Sequence, residues 1–530
     1  RRVINAALVQ FQLSDADVTR RIAALDAISR DPAADQLVPL RQSIPGEPDA
    51  SILARKVQLE RQLTARFGDS MQERVAAINF LSGDLSVEVR GVISQILTTQ
   101  QFVGISIPAG TNVAQIMEIG DDLNEVEAYQ LLVDADLVPA TVTPDDIVAT
   151  LTAQIEDGQV AGVDVSTLGT DAARLAAYDM LVTRGDAAPF IAPEDRASAL
   201  DAHTFYLAYT ELNVDITAAA EDAEAAIATL LNVGKTLDLT LDALSLASIY
   251  FLAAIGLAIT FGVMGVINMA HGEFIMMGAY TGYVVQQIVP DYTLSIIIAL
   301  PMAFGVTFAA GVAMERLVIR HLYHRPLETL LATFGIAIVL QQLAKNIFGT
   351  QARPLTSPDW LAGAWVVNDV VQISTIRIAI FALALLFLCL ILYILKCTRL
   401  GLEVRAVTQN PGMAASMGIN PDRINMLTFG LGSGIAGIAG VAIGLYAKVT
   451  SEMGADYIVQ SFMTVVVGGV GNVWGTLAGA SLIGFTQKGI EFFNPSNTLA
   501  AQTYMILFVI LFIQFRPKGI VALKGRAAGD

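Results

Sequence analysis

Apolar residues form long, nearly uninterrupted runs in the second half of this chain. Each run approaches the ~20 residues that a helix needs to cross the hydrocarbon core of a bilayer. The pattern predicts an all-α fold for residues 243–530, a polytopic bundle of about seven full transmembrane helices. The predicted spans are residues 243–265, 266–287, 292–318, 329–348, 373–396, 424–447 and 499–515.

A further apolar stretch, residues 457–490, is interrupted by the sequence GGVGNVWG at 468–475. Irregular backbone at membrane depth is tolerated only where it is buried in protein or lines a cavity. Two half-helices that meet at a break can form a transport site. We expect a re-entrant hairpin or two short spans here. The glycines either allow close helix packing only, or the break faces a solute path that includes Gly468, Gly469, Gly471 and Asn472.

Glycine is also frequent in the sixth predicted span, in the sequence GLGSGIAGIAGVAIG at 430–444. The pairs Gly430/Gly434 and Gly440/Gly444 have the spacing that lets two helix backbones approach closely. We expect these glycines to serve helix packing. The alternative is that bare backbone lines a pore.

Residues 1–242 show a different pattern of shorter amphipathic segments, such as 14–30, and a less regular region at 102–170. This part carries 16 basic and 37 acidic residues, a net charge of −21, whereas residues 243–530 carry 16 and 12, a net charge of +4. We therefore expect two domains: an acidic, mostly helical soluble domain over 1–242 and a membrane domain over 243–530. The acidic surface is either simply solvated or a docking face for a partner.

Basic residues indicate the orientation of the spans, because loops rich in Lys and Arg stay in the cytoplasm. The loop at 349–372 has only one basic residue and is expected outside. Counting crossings then places residues 1–242 outside the cytoplasm and the C-terminus inside. The chain begins at Arg1 without a methionine, which either a cleaved secretory signal or trimming of the chain would explain. The basic residues used are Arg316, Arg320, Arg325, Lys396, Arg399, Arg405, Arg423, Arg516, Lys518, Lys524 and Arg526.

Three segments together resemble the permease subunits of the ABC importer family for branched-chain amino acids and urea. They are GLAITFGVMGVINMAHGEFIMMGAY at 256–280, RLGLEVRAVTQNPGMAASMGINPDRIN at 399–425 and VVVGGVGNVWGTLAGASLIG at 465–484. The resemblance covers essentially all of residues 243–526. Because of the long N-terminal domain, the chain is most similar to the urea-transporting branch of this family.

The second of these segments resembles the loop through which such permeases contact their ATPase. Short helices are expected at 401–409 and 412–418, separated by a turn at Asn410-Pro411. Small residues would let the second helix enter a cleft of the ATPase; the alternative is an amphipathic helix lying on the membrane. The predicted coupling residues are Arg405, Asn410, Pro411, Ala414, Ala415, Gly418, Asn420 and Arg423.

Three polar residues, Asn268, His271 and Glu273, fall at the turn between the first two predicted spans. Polar and ionisable groups are costly within a bilayer, so they often mark a transport path. We expect them at the translocation path or its inner gate. The alternative is that His271 and Glu273 lie at a wetted helix end or pair with each other.

The resemblance implies a multi-pass permease subunit of the bacterial inner membrane that imports a small polar solute, urea first, with branched-chain amino acids or short amides as alternatives. The expected partners are a second homologous permease, two ATPase subunits, an extracytoplasmic solute-binding protein and the lipid bilayer, but no nucleic acid. The chain has no nucleotide-binding motif, so ATP would be used by the separate subunits. No cofactor, metal or covalent chemistry is expected in this chain. The rival function is an ion-coupled transporter or channel with His271 and Glu273 as a proton relay.

Overall fold

The computed structural model describes residues 11–191, 193–323, 325–368 and 370–521. Arg1, Lys524 and Arg526, which entered the sequence predictions, lie outside these ranges. The chain divides into two compact units, Arg1–Leu231 and Asn232–Asp530.

The first unit is mostly helical, as predicted for the N-terminal domain. Several of its helices begin at capping residues: the carboxylate of Asp49, for example, accepts hydrogen bonds from the amides of Ser51 and Ile52 at the start of α3. The helices are α1 (Val18–Arg30), α2 (Leu37–Ser43), α3 (Ala50–Phe67), α4 (Met71–Leu81), α5 (Val87–Ile96), α6 (Glu125–Asp134), α7 (Pro144–Ala153), α8 (Asp171–Arg184) and α9 (Pro193–Asp201).

This unit also contains a three-stranded antiparallel sheet that the sequence analysis did not predict. Strands β1 (Thr99–Gly104) and β2 (Val113–Met117) both pair with β5 (Thr204–Tyr209), which is therefore central. In β5 the side chains of Phe205, Tyr206 and Ala208 are buried, so the strand does not show a simple alternation of polar and apolar residues. A two-stranded ribbon, β3 (Gln159–Val160) with β4 (Val163–Asp164), lies between α7 and α8 in the chain.

A buried ion network ties together the N-terminal helices. The ammonium group of Lys56 is 2.8 Å from Glu47 and also donates to the carbonyl of Leu13 at 2.8 Å and that of Ser43 at 3.0 Å. Burial alone would raise the pKa of Glu47, but the hydrogen bonds from Lys56 and from the amide of Asp49 outweigh it and hold that pKa below its ordinary value. Full pairing of this kind is what makes a buried charge tolerable.

The second unit is a helical bundle with a short β-hairpin, β6 (Ala364–Val366) with β7 (Gln372–Ser374). The helix that enters it, α10, is continuous over Val214–Met264, so the predicted boundary after residue 242 falls inside a helix. The other helices are α11 (His271–Ile288), α12 (Tyr292–Leu317), α13 (Pro326–Phe348), α14 (Thr375–Cys397), α15 (Arg399–Gln409), α16 (Pro411–Ser416), α17 (Pro421–Tyr446), α18 (Met453–Gly468), α19 (Val473–Phe493) and α20 (Thr498–Phe515).

Among the described residues, five helices are long and apolar enough to cross a membrane: α10, α12, α13, α14 and α17. A sixth is obtained if the bent pair α18–α19 counts as one span. The predicted set of seven also included α11 and α20. Helix α11 has only 18 residues, begins at His271 rather than at 266, and carries several polar side chains. The chain leaves helical geometry at Gly265, whose φ of +66° is left-handed, and this ends α10.

The pair α18–α19 confirms that residues 457–490 are not one straight crossing. The two helix axes differ in direction by 117° across the break after Gly468. Both Gly469 (φ +103°) and Gly471 (φ +76°) have left-handed backbone, which glycine adopts without the steric cost of a Cβ. Because the two helices also pack on each other, the element is a helical hairpin.

Helix α17 is the central helix of the bundle, and its glycines make the close approaches. A Cβ on Gly437 would lie 2.8 Å from the carbonyl oxygen of Ala303 in α12. A Cβ on Gly440 would overlap the carbonyl of Ile275 in α11, and one on Gly432 would lie 2.6 Å from that of Gly256 in α10. The packing interpretation of this glycine-rich span is therefore the one that the geometry supports.

Loop contacts show which helix ends share a face of this unit. The Arg320 guanidinium, after α12, forms an ion pair of 2.6 Å with Asp422 at the start of α17. At other helix ends, Lys345 of α13 pairs with Glu452 before α18 at 3.1 Å. The first contact joins two of the basic segments that were predicted to lie on one side of the membrane. Which side is the cytoplasm stays a prediction.

Candidate functional site

Asn268 and His271 are buried at the turn between α10 and α11. The side-chain carbonyl of Asn268 accepts a hydrogen bond of 3.0 Å from the amide of Ala270, which shapes the turn. The amide nitrogen of the Asn268 side chain is buried and has no partner among the described residues. An unpaired buried donor costs ~1–3 kcal/mol, so such a group needs an explanation.

His271 is fully buried (0% exposed), and its ring contacts the C-terminal part of α10. Its Nε2 lies 2.8 Å from the backbone carbonyl of Ala253. Because a carbonyl can only accept, Nε2 carries the proton, and in a neutral imidazole Nδ1 is then an acceptor. Nδ1 is buried and has no partner among the described residues. The ring is thus fixed by one nitrogen and leaves the other available for a donor.

Glu273 lies two residues after His271 in α11 and is 5% exposed. The carboxylate faces the first turn of α18, where a Cβ on Gly454 would be 2.8 Å from Oε1. The N-terminus of a helix carries partial positive charge, which favours a carboxylate there. Oε2 is buried and has no hydrogen-bond partner in the described part of the chain.

These three residues are therefore close in the chain but do not form one hydrogen-bonded group. No hydrogen bond or ion pair joins His271 to Glu273 among the described residues, and both are buried rather than at a wetted helix end. The alternative that they pair or are simply solvated is thus not what the structure shows. What remains is a set of unpaired polar atoms inside a helix bundle: Asn268 Nδ2, His271 Nδ1 and Glu273 Oε2. Their contact with solute stays a prediction.

The glycine break is packed against protein on several sides. A Cβ on Gly468 would overlap the carbonyl of Gly475, and a Cβ on Gly262 of α10 would overlap the Cα of Gly471. The side chain of Asn472 caps α19 by accepting from the amides of Trp474 (2.9 Å) and Gly475 (3.1 Å). The side-chain carbonyl of Asn472 is thus already used by the chain itself.

Two carbonyls at the end of α18 are also paired within the chain. Val467 accepts a hydrogen bond of 2.8 Å from the amide of Ile520, and Gly468 accepts one of 3.0 Å from that of Val521. The residues after α20 thus satisfy backbone groups that the break exposes. This favours close packing over direct solute contact for Gly468, Gly469, Gly471 and Asn472, whose place in a solute path stays a prediction.

The predicted coupling loop folds as two short helices, α15 and α16, separated at Asn410. The Asn410 side chain accepts from the amide of Met413 at 2.9 Å, and Pro411 is the first residue of α16. Gly418 has a left-handed φ of +84°, which ends the unit, and Asn420 then caps α17 through the amide of Arg423 at 3.2 Å. Each turn residue named from the sequence therefore has an identified role in shaping the loop.

The two faces of α16 differ. Ala414 is buried against Val404, Val407 and Ile424, and this contact fixes α16 on α15 and α17. On the other side, Ala415 is exposed, and so are Met413 (63%) and Met417 (77%). Arg405 donates to the carbonyl of Gly401 at 3.2 Å, within α15, and Arg423 is exposed. The loop therefore presents an exposed apolar patch, with flexible methionine side chains, on a short, capped helix.

A charged cluster that joins the middle of α10 to the ends of other helices was not found from the sequence. Asp242 of α10 forms an ion pair with Arg377 of α14 and lies 3.7 Å from Lys488 of α19. Lys488 also pairs with Glu491 at 2.7 Å. The Arg377 guanidinium lies 5.7 Å from the centre of the Tyr446 ring, at the end of α17. We call Asp242, Arg377, Lys488 and Glu491 the four-charge cluster.

The four-charge cluster borders a cavity of about 110 Å³. Gln487 extends the polar lining inward, because it donates to Glu491 at 3.1 Å and accepts from the Tyr250 hydroxyl at 2.6 Å. Two basic and two acidic groups make the cluster neutral overall, and it offers both donors and acceptors. Among the described residues, no group of three or more His, Cys, Asp or Glu side chains is arranged to hold a metal ion.

Comparison with known proteins gives a consistent set of relatives. The permease protein LivH of the high-affinity branched-chain amino acid transport system of Escherichia coli is 27% identical over 288 residues, 52% of this chain and 92% of LivH. BraD of Pseudomonas aeruginosa, named as a permease protein of the same kind of system, is 29% identical over 290 residues, 52% of this chain and 93% of BraD. The inner membrane ABC transporter permease protein YjfF of Escherichia coli is 27% identical over 275 residues, 50% of this chain and 78% of YjfF.

No solved structure matches the chain. The family model described as branched-chain amino acid transport system / permease component matches residues 239–514, which is more than half of the chain and contains the polar turn, the glycine break, the coupling loop and the four-charge cluster. The chain therefore belongs to the permease-component family of branched-chain amino acid transport systems.

Proposed function

We propose that this chain is a transmembrane subunit of an ABC importer for a small polar solute. The observation that carries the proposal is the exposed face of the capped helix α16, formed by Met413 and Ala415 and extended by Met417 directly after the helix. A surface of this kind suits insertion into a cleft of a separate protein, because methionine side chains adapt their shape to the partner. The partner is an ATPase subunit.

The complete importer has two ATPase subunits, a second homologous permease and an extracytoplasmic solute-binding protein. The loop at 399–425 lies in the cytoplasm, and residues 1–242 lie outside it. ATP binding and hydrolysis on the ATPase subunits shift the permease pair between inward-facing and outward-facing states, which is a change of population rather than chemistry on this chain. The contact between Arg320 and Asp422 supports this arrangement, since it places two basic segments on one face.

Urea is the solute that we favour. Urea carries donors and acceptors but no apolar side chain, and the unpaired atoms of Asn268, His271 and Glu273 offer both kinds of partner inside the bundle. The small cavity at the four-charge cluster is lined by polar and charged groups as well, which suits a small polar molecule. The long N-terminal part, outside the matched residues 239–514, also distinguishes this chain from LivH and BraD.

Branched-chain amino acids are the second candidate solute. The names of LivH and BraD favour them, because both relatives are described as permeases of branched-chain amino acid transport. At 27–29% identity, a change of solute between relatives is compatible with a shared fold and a shared coupling loop.

Transport by the reconstituted complex tests the proposal. The complex, with its ATPase subunits and binding protein, is placed in vesicles, and uptake of radiolabelled urea is measured with unlabelled leucine as competitor. We expect urea uptake that requires ATP and is insensitive to excess leucine. Leucine uptake with no urea uptake would move the solute to the second candidate. Uptake that continues without ATP but needs a proton gradient would contradict the importer and support the ion-coupled rival.

A further inference from the structure

A cavity of about 410 Å³ lies in the first unit, between α6 and α9. Its lining is mixed: one arginine, two carboxylates, a tyrosine ring and several apolar side chains. Ligand pockets typically combine an apolar surface with a few polar groups that fix orientation, at volumes of ~300–1,000 Å³. The cavity lies in the N-terminal part of the chain, to which the family match assigns nothing.

Arg196 is the cationic group of this cavity. Its guanidinium lies 5.8 Å from the centre of the Tyr129 ring. Its Nε is buried and has no hydrogen-bond partner, and no carboxylate among the described residues forms an ion pair with it. Several other arginines of the unit are paired, such as Arg74 with Glu211 at 2.7 Å. In a domain of net charge −21, a partly buried arginine without an acidic partner is available for an anionic group.

Arg196 lies over an aromatic ring that is itself fixed by burial and a hydrogen bond. The Tyr129 ring beneath it is buried, and its hydroxyl donates to the carbonyl of Pro139 at 3.1 Å. Burial raises the pKa of Tyr129, so the ring stays neutral and keeps its favourable face toward the cation. The guanidinium thus lies over a rigid, neutral ring and keeps its planar donor groups for a ligand.

Two carboxylates, Glu125 and Asp201, line the same cavity, one at the start of α6 and the other at the end of α9. Neither forms an ion pair with Arg196, since no such contact exists within 4 Å among the described residues. One basic and two acidic side chains therefore line this cavity without pairing with each other. The buried Leu200 and the exposed Val126 supply apolar surface to the same cavity.

We propose that this cavity binds a small zwitterion, an α-amino acid with an apolar side chain. The carboxylate of the ligand pairs with the Arg196 guanidinium, and its ammonium group pairs with Glu125 or Asp201. The side chain lies on Leu200 and Val126. This site is separate from the transport path in the second unit, and its existence does not depend on which solute the importer carries.

Ligand binding to the purified full-length chain in nanodiscs, without ATPase subunits, tests the site. The probes are leucine, 4-methylpentanoate, which lacks the amino group, and 3-methylbutylamine, which lacks the carboxylate. We expect leucine to bind, 4-methylpentanoate to bind more weakly, and 3-methylbutylamine not to bind measurably. The substitution Arg196→Gln is expected to weaken leucine binding at least tenfold, because a charge-assisted pair is lost.

Two further variants make the result specific. Glu125→Gln combined with Asp201→Asn is expected to weaken leucine binding but not binding of 4-methylpentanoate. Arg61→Gln is the matched control, because Arg61 also lies over an aromatic ring, that of Phe80 at 5.4 Å, but does not line the cavity. Leucine affinity that is the same in the Arg196→Gln variant as in the wild type, with the variant folded by thermal melting, would overturn the proposal, as would absence of leucine binding to the wild-type chain.

Discussion

Replacing Gly278 by alanine is expected to remove most of the folded membrane unit, although only one methyl group is added. Gly278 of α11 faces Gly437 of α17, and a Cβ on Gly278 would overlap the carbonyl oxygen and Cα of Gly437. Both atoms belong to helix backbone, so no side chain can rotate away, and the two helices must separate. We expect the free energy of unfolding to fall by more than ~3 kcal/mol, which is the upper end of the usual cost of overpacking a core.

Gly282, one turn later on the same helix, is the matched control. A Cβ there would lie 3.5 Å from the side chains of Leu355 and Val441, which is ordinary van der Waals contact. Gly282→Ala should therefore be neutral or gain up to ~1 kcal/mol from improved helix propensity. Thermal melting of the two detergent-solubilised variants, with the yield of monodisperse protein, measures the difference. Equal melting temperatures would show that α11 and α17 do not make this close approach.

Replacing Ala415 by tryptophan is expected to lower ATP-driven uptake at least tenfold without loss of membrane insertion. Ala415 is exposed on α16, so the larger side chain does not disturb the packing of the loop itself. It would instead occupy the space into which the ATPase fits. Ala414, the neighbouring residue, is buried, and a tryptophan there would disrupt the loop and give no information about docking.

The control for this prediction is Ala362→Trp, the same change at an exposed alanine in the loop that is predicted to lie on the opposite side of the membrane. This variant should retain uptake. The measurement is uptake per assembled complex, with the amount of co-purified ATPase determined in the same preparation. Wild-type uptake by the Ala415→Trp complex would remove the main support for the coupling role of 399–425.

The local features of the fold were predictable from the sequence because they depend on short spacings. Apolar runs predicted the long membrane helices, and the glycine-rich stretch predicted the break after Gly468. Asn410-Pro411 predicted the turn between α15 and α16. The continuity of α10 across the predicted domain boundary was harder to predict. The charge changes near residue 242, but nothing there stops a helix, and α10 continues through it to Met264.

Contacts between distant parts of the chain were not predictable. Asp242, Arg377 and Lys488 are far apart in the sequence, and only packing of α10, α14 and α19 brings them together. Similarly, the pairs Gly430/Gly434 and Gly440/Gly444 were chosen by spacing, yet Gly432 and Gly437 also meet backbone of other helices. Spacing within one helix indicates that a close approach exists but does not identify the facing residue.

The central claim, that α16 docks on an ATPase subunit, is tested most directly by site-specific photo-cross-linking in the assembled complex. Met417 and, in a separate variant, Trp360 are replaced by p-benzoylphenylalanine, since both side chains are exposed, at 77% and 61%. Trp360 lies in the loop at 349–372, which is predicted to lie on the opposite side of the membrane. We predict that illumination links position 417, but not position 360, to the ATPase subunit. An ATPase adduct from position 360, or none from position 417 in an intact complex, would contradict the account.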